Sequence, residues 1–303
     1  MQEERIMKSN QPIFKGIATA LITPTTPEGI DYDRFGKVID WQIEQGINGL
    51  IICGTSGEAS TLSDPEHRAA IEYACERVNK RVPVIAGTGS NETDYAVELT
   101  KSACASGADG VLVVTPYYNK TTQNGLVKMY ETIADASSVP VILYNVPSRT
   151  GININPETYV KLAEHPRIAA IKEANSDISK IVETFSLVGD KLDIYSGNDD
   201  QIVPILSMGG MGCISVLSNV IPEETVAITD KFFGGDVAGA AALQCRFMPL
   251  IRSLFCETNP IPVKAAMAAL GFCDNYLRLP LVPMEEAHYQ VMLQNMRDLG
   301  MKV

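Results

Sequence analysis

Eight short apolar runs recur along the chain: 17–23 (IATALIT), 49–53 (GLIIC), 82–87 (VPVIAG), 110–115 (GVLVVT), 140–145 (PVILYN), 168–172 (IAAIK), 192–197 (LDIYSG) and 212–216 (GCISV). Most are near-continuously apolar, not alternating. That is the pattern of parallel strands covered on both faces. The stretches between them read as helices. Ser63 followed by Glu66 predicts a capping box opening one helix. Asn155 then Pro156 predicts an N-cap and first helical position, and Gly107 a C-terminal stop. Eight strands alternating with helices predict a (β/α)8 TIM barrel over residues 13–235. Residues 236–303 read as a C-terminal helical extension. No internal repeat or low-complexity tract interrupts the pattern.

Barrels of this kind carry their chemistry at the C-terminal ends of the strands. Those ends can be collected from the sequence. The second run leads into Gly54-Thr55-Ser56-Gly57-Glu58, the fourth into Tyr117-Tyr118, the fifth into Tyr144 and Arg149, the sixth into Lys172, and the seventh into Gly197. The predicted mouth holds hydroxyls, one guanidinium and one amine. Position alone allows two readings of Lys172. Its stem packs while its head reaches water or pairs with Glu173, or it is a nucleophilic amine. A free lysine titrates near 10.4, so only about one in a thousand is neutral at neutral pH. Desolvation at the end of an apolar strand raises the reactive fraction, and a shift of about three units corresponds to roughly 4 kcal/mol.

Other chemistries fit poorly. The three histidines, His67, His165 and His288, fall in or beside helices and read as surface or satisfied core groups. No clustered ligand set at the mouth suggests a zinc-dependent aldolase or amidohydrolase. The GTGSNE segment (87–92) lacks the third glycine of a dinucleotide fingerprint, and there is no P-loop. A net charge of -11 makes nucleic acid and anionic membranes poor partners. Seven scattered cysteines without a CxxC pair read as reduced packing residues. The first dozen residues read as a frayed extension without an apolar targeting core, so a cytoplasmic location is expected.

The combination GIATALITP, GTSGE, TPYYN, YNVPSRTG, IKEA and NPIPVK, in this order over nearly the whole chain, resembles the pyruvate-dependent class I aldolase family. That family includes N-acetylneuraminate lyase, and Arg149 in YNVPSRTG is similar to the dihydrodipicolinate synthase branch. The resemblance implies condensation of pyruvate with L-aspartate 4-semialdehyde, the first committed step of lysine and diaminopimelate biosynthesis. It implies an imine between pyruvate and Lys172, with no separate cofactor and no metal. Tyr144 would shuttle protons, and Thr55 would link it to Tyr118 supplied by a neighbouring subunit. Ser56 would bind the pyruvate carboxylate and Arg149 that of the semialdehyde, while Gly197 and Ile214 line the pyruvate pocket. A homotetramer built as a dimer of dimers is implied.

Ser56 stands where the family commonly has threonine, with the hydroxyl retained. His67, Asn91 and Tyr117 match an effector pocket of lysine-sensitive members. Asp64 and Tyr95 replace their histidine and glutamate, so weak or absent inhibition by lysine is expected. Two rivals remain open: a sugar-acid aldolase of the same family, and a non-catalytic ligand-binding protein on the same barrel.

Overall fold

The computed structural model describes residues 11–303; most of the expected N-terminal extension therefore lies outside the described residues. Strand β1 (Gly16–Ala20) is followed by a short antiparallel hairpin, β2 (Thr25–Thr26) and β3 (Gly29–Ile30), and then by helix α1 (Tyr32–Glu44). The succession continues through β4 (Gly49–Ile52), α2 (Asp64–Val78), β5 (Val84–Gly87), α3 (Thr93–Ala105), β6 (Gly110–Val114) and α4 (Gln123–Ala136). Next come β7 (Val141–Asn145), the one-turn α5 (Pro147–Thr150), α6 (Pro156–Leu162), β8 (Ile168–Glu173) and α7 (Ile178–Val188). The barrel part ends with β9 (Asp193–Ser196), α8 (Ile202–Ser207), β10 (Gly212–Ser215) and α9 (Pro222–Phe233). Helices α10 (Val237–Leu254), α11 (Ile261–Ala269) and α12 (Glu286–Asp298) complete the chain.

All eight predicted strands are present and close into one parallel barrel, β1-β4-β5-β6-β7-β8-β9-β10 and back to β1. The helix signals also hold. Glu66 accepts from the Ser63 N–H at 2.9 Å, α6 opens at Pro156 with Asn155 in the N-cap position although its side chain makes no capping hydrogen bond, and Gly107 with φ +88 follows the end of α3. No helix among the described residues is long and apolar enough to cross a membrane.

Two cores result from the two faces of the strands. Outward-facing Ile17, Leu50, Val111, Leu143, Ile171 and Ile194 pack against the helices. Inward-facing Ala18, Ile51, Ile85, Leu112, Ile142, Ala170, Tyr195 and Ile214 fill the barrel. Phe14 closes its N-terminal end, stacked on Tyr195 with ring centroids 4.1 Å apart.

A local irregularity decides which way Lys172 points. Val141 pairs with Ile168, but Ile142 pairs with Ala170, leaving Ala169 as an extra residue in β8. Strict alternation from outward-facing Ile168 would send Lys172 to the helix side. The bulge resets the parity, so Ala170 and Lys172 face inward while Ile171 and Glu173 face outward.

Candidate active site

Lys172 and Tyr144 are register partners on adjacent strands. The Lys172 Nζ lies 4.2 Å from the centroid of the Tyr144 ring. Both side chains are buried, Lys172 at 6% exposure and Tyr144 at 7%. Lys172 makes no ion pair or hydrogen bond among the described residues. The expected alternative, a pair with Glu173, is not formed, because neighbours along a strand point to opposite faces. Glu173 is instead held behind the barrel wall. It accepts from Asn145 Nδ2 at 2.9 Å, the Asn175 N–H at 2.8 Å and the Tyr159 hydroxyl at 3.1 Å. Burial, only partly offset by these donors, pushes its carboxyl up to about 7.

Above Lys172 opens a cavity of about 490 Å³ whose wall includes Thr55, Ser56, Tyr144, Arg149, Lys172 and Gly197. Six of the eight predicted site residues therefore converge. The turn after β4 is drawn tight by the Glu58 N–H donating to Thr55 O at 3.1 Å and by Thr23 Oγ1 donating to Gly57 O at 2.9 Å. A Cβ on Gly57 would stand 3.2 Å from Leu21 O and from the Cys53 backbone, a tight fit that favours glycine here. The Thr55 and Ser56 N–H groups donate to no backbone carbonyl among the described residues, an arrangement that suits a carboxylate. Arg149 rides on α5, whose end is fixed by Gly151 at φ +67 and by the Thr115 hydroxyl donating to Thr150 Oγ1 at 3.0 Å. A Cβ on Gly197 would stand 2.8 Å from Ala174 Cβ, so glycine is needed where β8 and β9 diverge.

Two predicted residues sit elsewhere. Ile214 is fully buried in the barrel interior and does not line the cavity; Val216, two residues on, does. Tyr118 is 93% exposed and does not line the cavity. It holds φ +69, uncommon for a residue with a side chain. Its loop is tied to the loop after β5 by Asn119 Nδ2 donating to Asn91 O at 2.8 Å. Thr55 and Tyr144 line the same cavity, but no hydrogen bond joins them within the chain.

The sequence reading missed a whole wall. Phe255, Glu257, Thr258 and Asn259, between α10 and α11, line the cavity. Asn259 O accepts from Arg149 Nη2 at 2.8 Å, and its Nδ2 donates to Ser56 Oγ at 3.1 Å. The helical region beyond residue 235 is thus part of the site. The NPIPVK segment was the available signal. Its Lys264, wholly buried, donates to Glu58 Oε1 at 2.6 Å and Thr23 O at 2.8 Å.

Residues 13–298 match the dihydrodipicolinate synthetase family. The chain belongs to that family. The family's relatives share nearly its full length. A 4-hydroxy-tetrahydrodipicolinate synthase of Acetivibrio thermocellus is 50% identical over 291 residues, 96% of this chain and 99% of that one. Another, of Caldicellulosiruptor saccharolyticus, is 50% identical over 293 residues, again 96% and 99%. The crystal structure of the dihydrodipicolinate synthase of Thermotoga maritima superposes with a TM-score of 0.93 at 40% identity, covering 95% of this chain and 99% of that one. This member of the dihydrodipicolinate synthetase family is an enzyme of the class I aldolase type.

Several further buried titratable groups are shifted by desolvation. His67 is buried and bonded through Nε2 to Gly87 O at 2.8 Å, and burial lowers its pKa. Cys53 and Cys213 are buried thiols pushed far up by desolvation, and Cys273 is pushed up to about 11. These three serve as apolar packing groups, as expected. Asp199, buried below the mouth, is raised by desolvation although it accepts from the Val216 and Leu217 N–H groups at 3.0 and 2.9 Å.

Proposed function

We propose that this enzyme condenses pyruvate with L-aspartate 4-semialdehyde to 4-hydroxy-tetrahydrodipicolinate through a Schiff base on Lys172. The observation that carries the reading is the inward-facing, unpaired Lys172 beside Tyr144 on the floor of a cavity large enough for two small acids. In this reading the neutral amine attacks the keto carbon of pyruvate, and loss of water gives the imine. Removal of a methyl proton gives the enamine, with Tyr144 passing protons above it. The enamine carbon attacks the aldehyde of the second substrate. That substrate's own amine then displaces Lys172, closing the ring and freeing the enzyme. Ser56, with the free N–H groups of its turn, holds the pyruvate carboxylate. Arg149 holds the semialdehyde carboxylate from the entrance, braced by Asn259. No metal or separate cofactor takes part in this scheme.

The exposure of Tyr118 supports a shared site. A loop held by the Asn119–Asn91 hydrogen bond and presenting a bare aromatic ring reads as a projection into a second copy of the chain, where Tyr118 would meet Thr55 and Tyr144. A homotetramer made from two such dimers is the proposed assembly. Weak or absent inhibition by lysine is also proposed. His67, Tyr95 and Tyr117 line a second cavity of about 450 Å³ next to the mouth. Of the two departures, Tyr95 lines it and Asp64 lies against Tyr95: burial first, and then the hydrogen bond with Asp64, raises the Tyr95 phenol pKa. Asp64 is engaged by Tyr95 and Arg68, and Glu58, the carboxylate lining this cavity, is already paired with Lys264, which disfavours an effector's ammonium; inhibition at micromolar lysine would overturn this reading.

The test is turnover with pyruvate and each of two aldehyde partners. Product with aspartate semialdehyde and none with N-acetylmannosamine supports the reading. The reverse assigns a sugar-acid aldolase, and no turnover with either assigns a binding protein.

A further inference from the structure

A second cluster of chemically competent side chains lies outside the mouth. Cys256 Sγ, a Glu257 carboxylate oxygen and a His288 ring nitrogen all lie within 4.8 Å of one another. They come from two separate elements, the α10–α11 connection and α12. His288 Nδ1 is already 2.8 Å from Glu257 Oε1, and the Glu285 N–H donates to the same oxygen at 3.0 Å. The carboxylate is mostly covered, with 17% of its side chain exposed, while the imidazole is open at 45%. The Cys256 thiol donates to Ser253 O at 3.1 Å.

Thiolate, imidazole and carboxylate together are the donor set of a borderline-soft divalent cation. Bonds of about 2.0–2.3 Å in a tetrahedron set ligand atoms about 3.3–3.6 Å apart. The imidazole and carboxylate must open by about half an ångström, and the thiol must leave Ser253 O and close in. Both are side-chain rotations at the surface. We infer that Cys256, Glu257 and His288 form a zinc-class cation site that clamps the α10–α11 connection onto α12.

Binding exchanges the thiol proton for the metal, and a neutral imidazole moves its proton from Nδ1 to Nε2. Water completes the coordination. The clamp sits one wall away from the substrates. Glu257 itself faces the cavity, and Asn259, two residues on, braces Arg149 and Ser56. The site adds to the Lys172 chemistry without taking part in it.

The test uses the full-length protein, stripped with a chelator and reduced. Cobalt(II) is titrated while the thiolate-to-cobalt charge-transfer band is followed, and zinc is then measured by competition. The expected result is one ion per chain and a thiolate band that zinc abolishes. Cys256→Ser loses the band and binds at least about tenfold more weakly, and His288→Ala loses affinity similarly. Cys245→Ser is the control, because Cys245 is another exposed thiol and lies outside the cluster; it keeps the band. A hundredfold excess of zinc over its Kd raises the Tm of the parent protein by about 4 °C and leaves that of Cys256→Ser unchanged. Absence of a thiolate band, or equal binding by the parent and Cys256→Ser, overturns the site. Neither result bears on imine formation, which is read separately by mass.

Discussion

Replacing Lys264 by methionine keeps most of the side chain's apolar stem and removes its charge. The consequence follows from the surroundings. Lys264 and Glu58 have 0% and 1% of their side chains exposed, and they meet at 2.6 Å. Lys264 also donates to Thr23 O at 2.8 Å and Thr25 Oγ1 at 3.1 Å. The second carboxylate oxygen of Glu58 is buried without a partner. Lys264→Met therefore leaves a whole carboxylate enclosed and unpaired. Breaking one side of a buried pair costs about 3–5 kcal/mol, and two acceptors stripped of a donor add about 1–3 kcal/mol. Because the effects overlap, about 4–6 kcal/mol is expected, a large part of the stability of an ordinary domain. Urea unfolding measures it. Glu58→Gln alone costs about 3 kcal/mol by stranding the ammonium. The double variant is expected to be better than the sum of the singles by at least about 2 kcal/mol. The pair also seats the turn that carries Thr55 and Ser56, so KM for pyruvate rises in each single variant. A loss under about 1 kcal/mol for Lys264→Met, or strict additivity in the double, would refute the reasoning.

Three further outcomes are expected. Arg149→Ala raises KM for the semialdehyde about 10- to 100-fold, the worth of one charge-assisted contact, and leaves imine formation with pyruvate intact; an equal loss in both half-reactions, separated by pre-steady-state kinetics, contradicts it. Tyr144→Phe lowers kcat about 10²- to 10⁴-fold, the usual contribution of a proton-transfer group, and an unchanged kcat excludes the phenol from proton transfer. Glu173 gives a stability difference with a definite sign. Its carboxyl rises from the ordinary 4.5 to about 7 on folding, so the native state binds the extra proton between those values and stability falls as pH rises through that window. Glu173→Gln removes the fall, so its stability relative to the parent improves by up to about 3 kcal/mol between pH 4.5 and pH 7.5. Parallel pH profiles in chemical denaturation would show that Glu173 titrates normally.

How much of this was written in the chain differs from element to element. The strands were legible because strands enclosed on both faces leave uninterrupted apolar runs, and each run identified its own C-terminal end. That was enough to bring Thr55, Ser56, Tyr144, Arg149, Lys172 and Gly197 to one mouth. The direction of Lys172 was not legible from alternation. A single extra residue, Ala169, reverses the parity of β8, and nothing in Ala169-Ala170 distinguishes the bulged position. Depth within the barrel was equally hidden, since Ile214 and Val216 differ only by one inward layer. The wall made by Phe255 to Asn259 was missed for a different reason. It folds back across about 200 residues of sequence separation to reach Ser56, and local periodicity carries no information about such a return. The buried Lys264 was the trace it left, because an ammonium inside an apolar helix needs a partner somewhere. Tyr118 is different again: it is 93% exposed and does not line the cavity of the chain that carries it, so its proposed part in the site depends on a second copy.

The most direct test of the central claim is borohydride trapping. The protein is incubated with pyruvate, reduced, weighed intact and mapped by peptide. The account predicts one pyruvate-sized adduct per chain, located on Lys172 and absent from Lys172→Ala. No adduct from folded protein that still binds pyruvate, or an adduct on any other lysine, would contradict it.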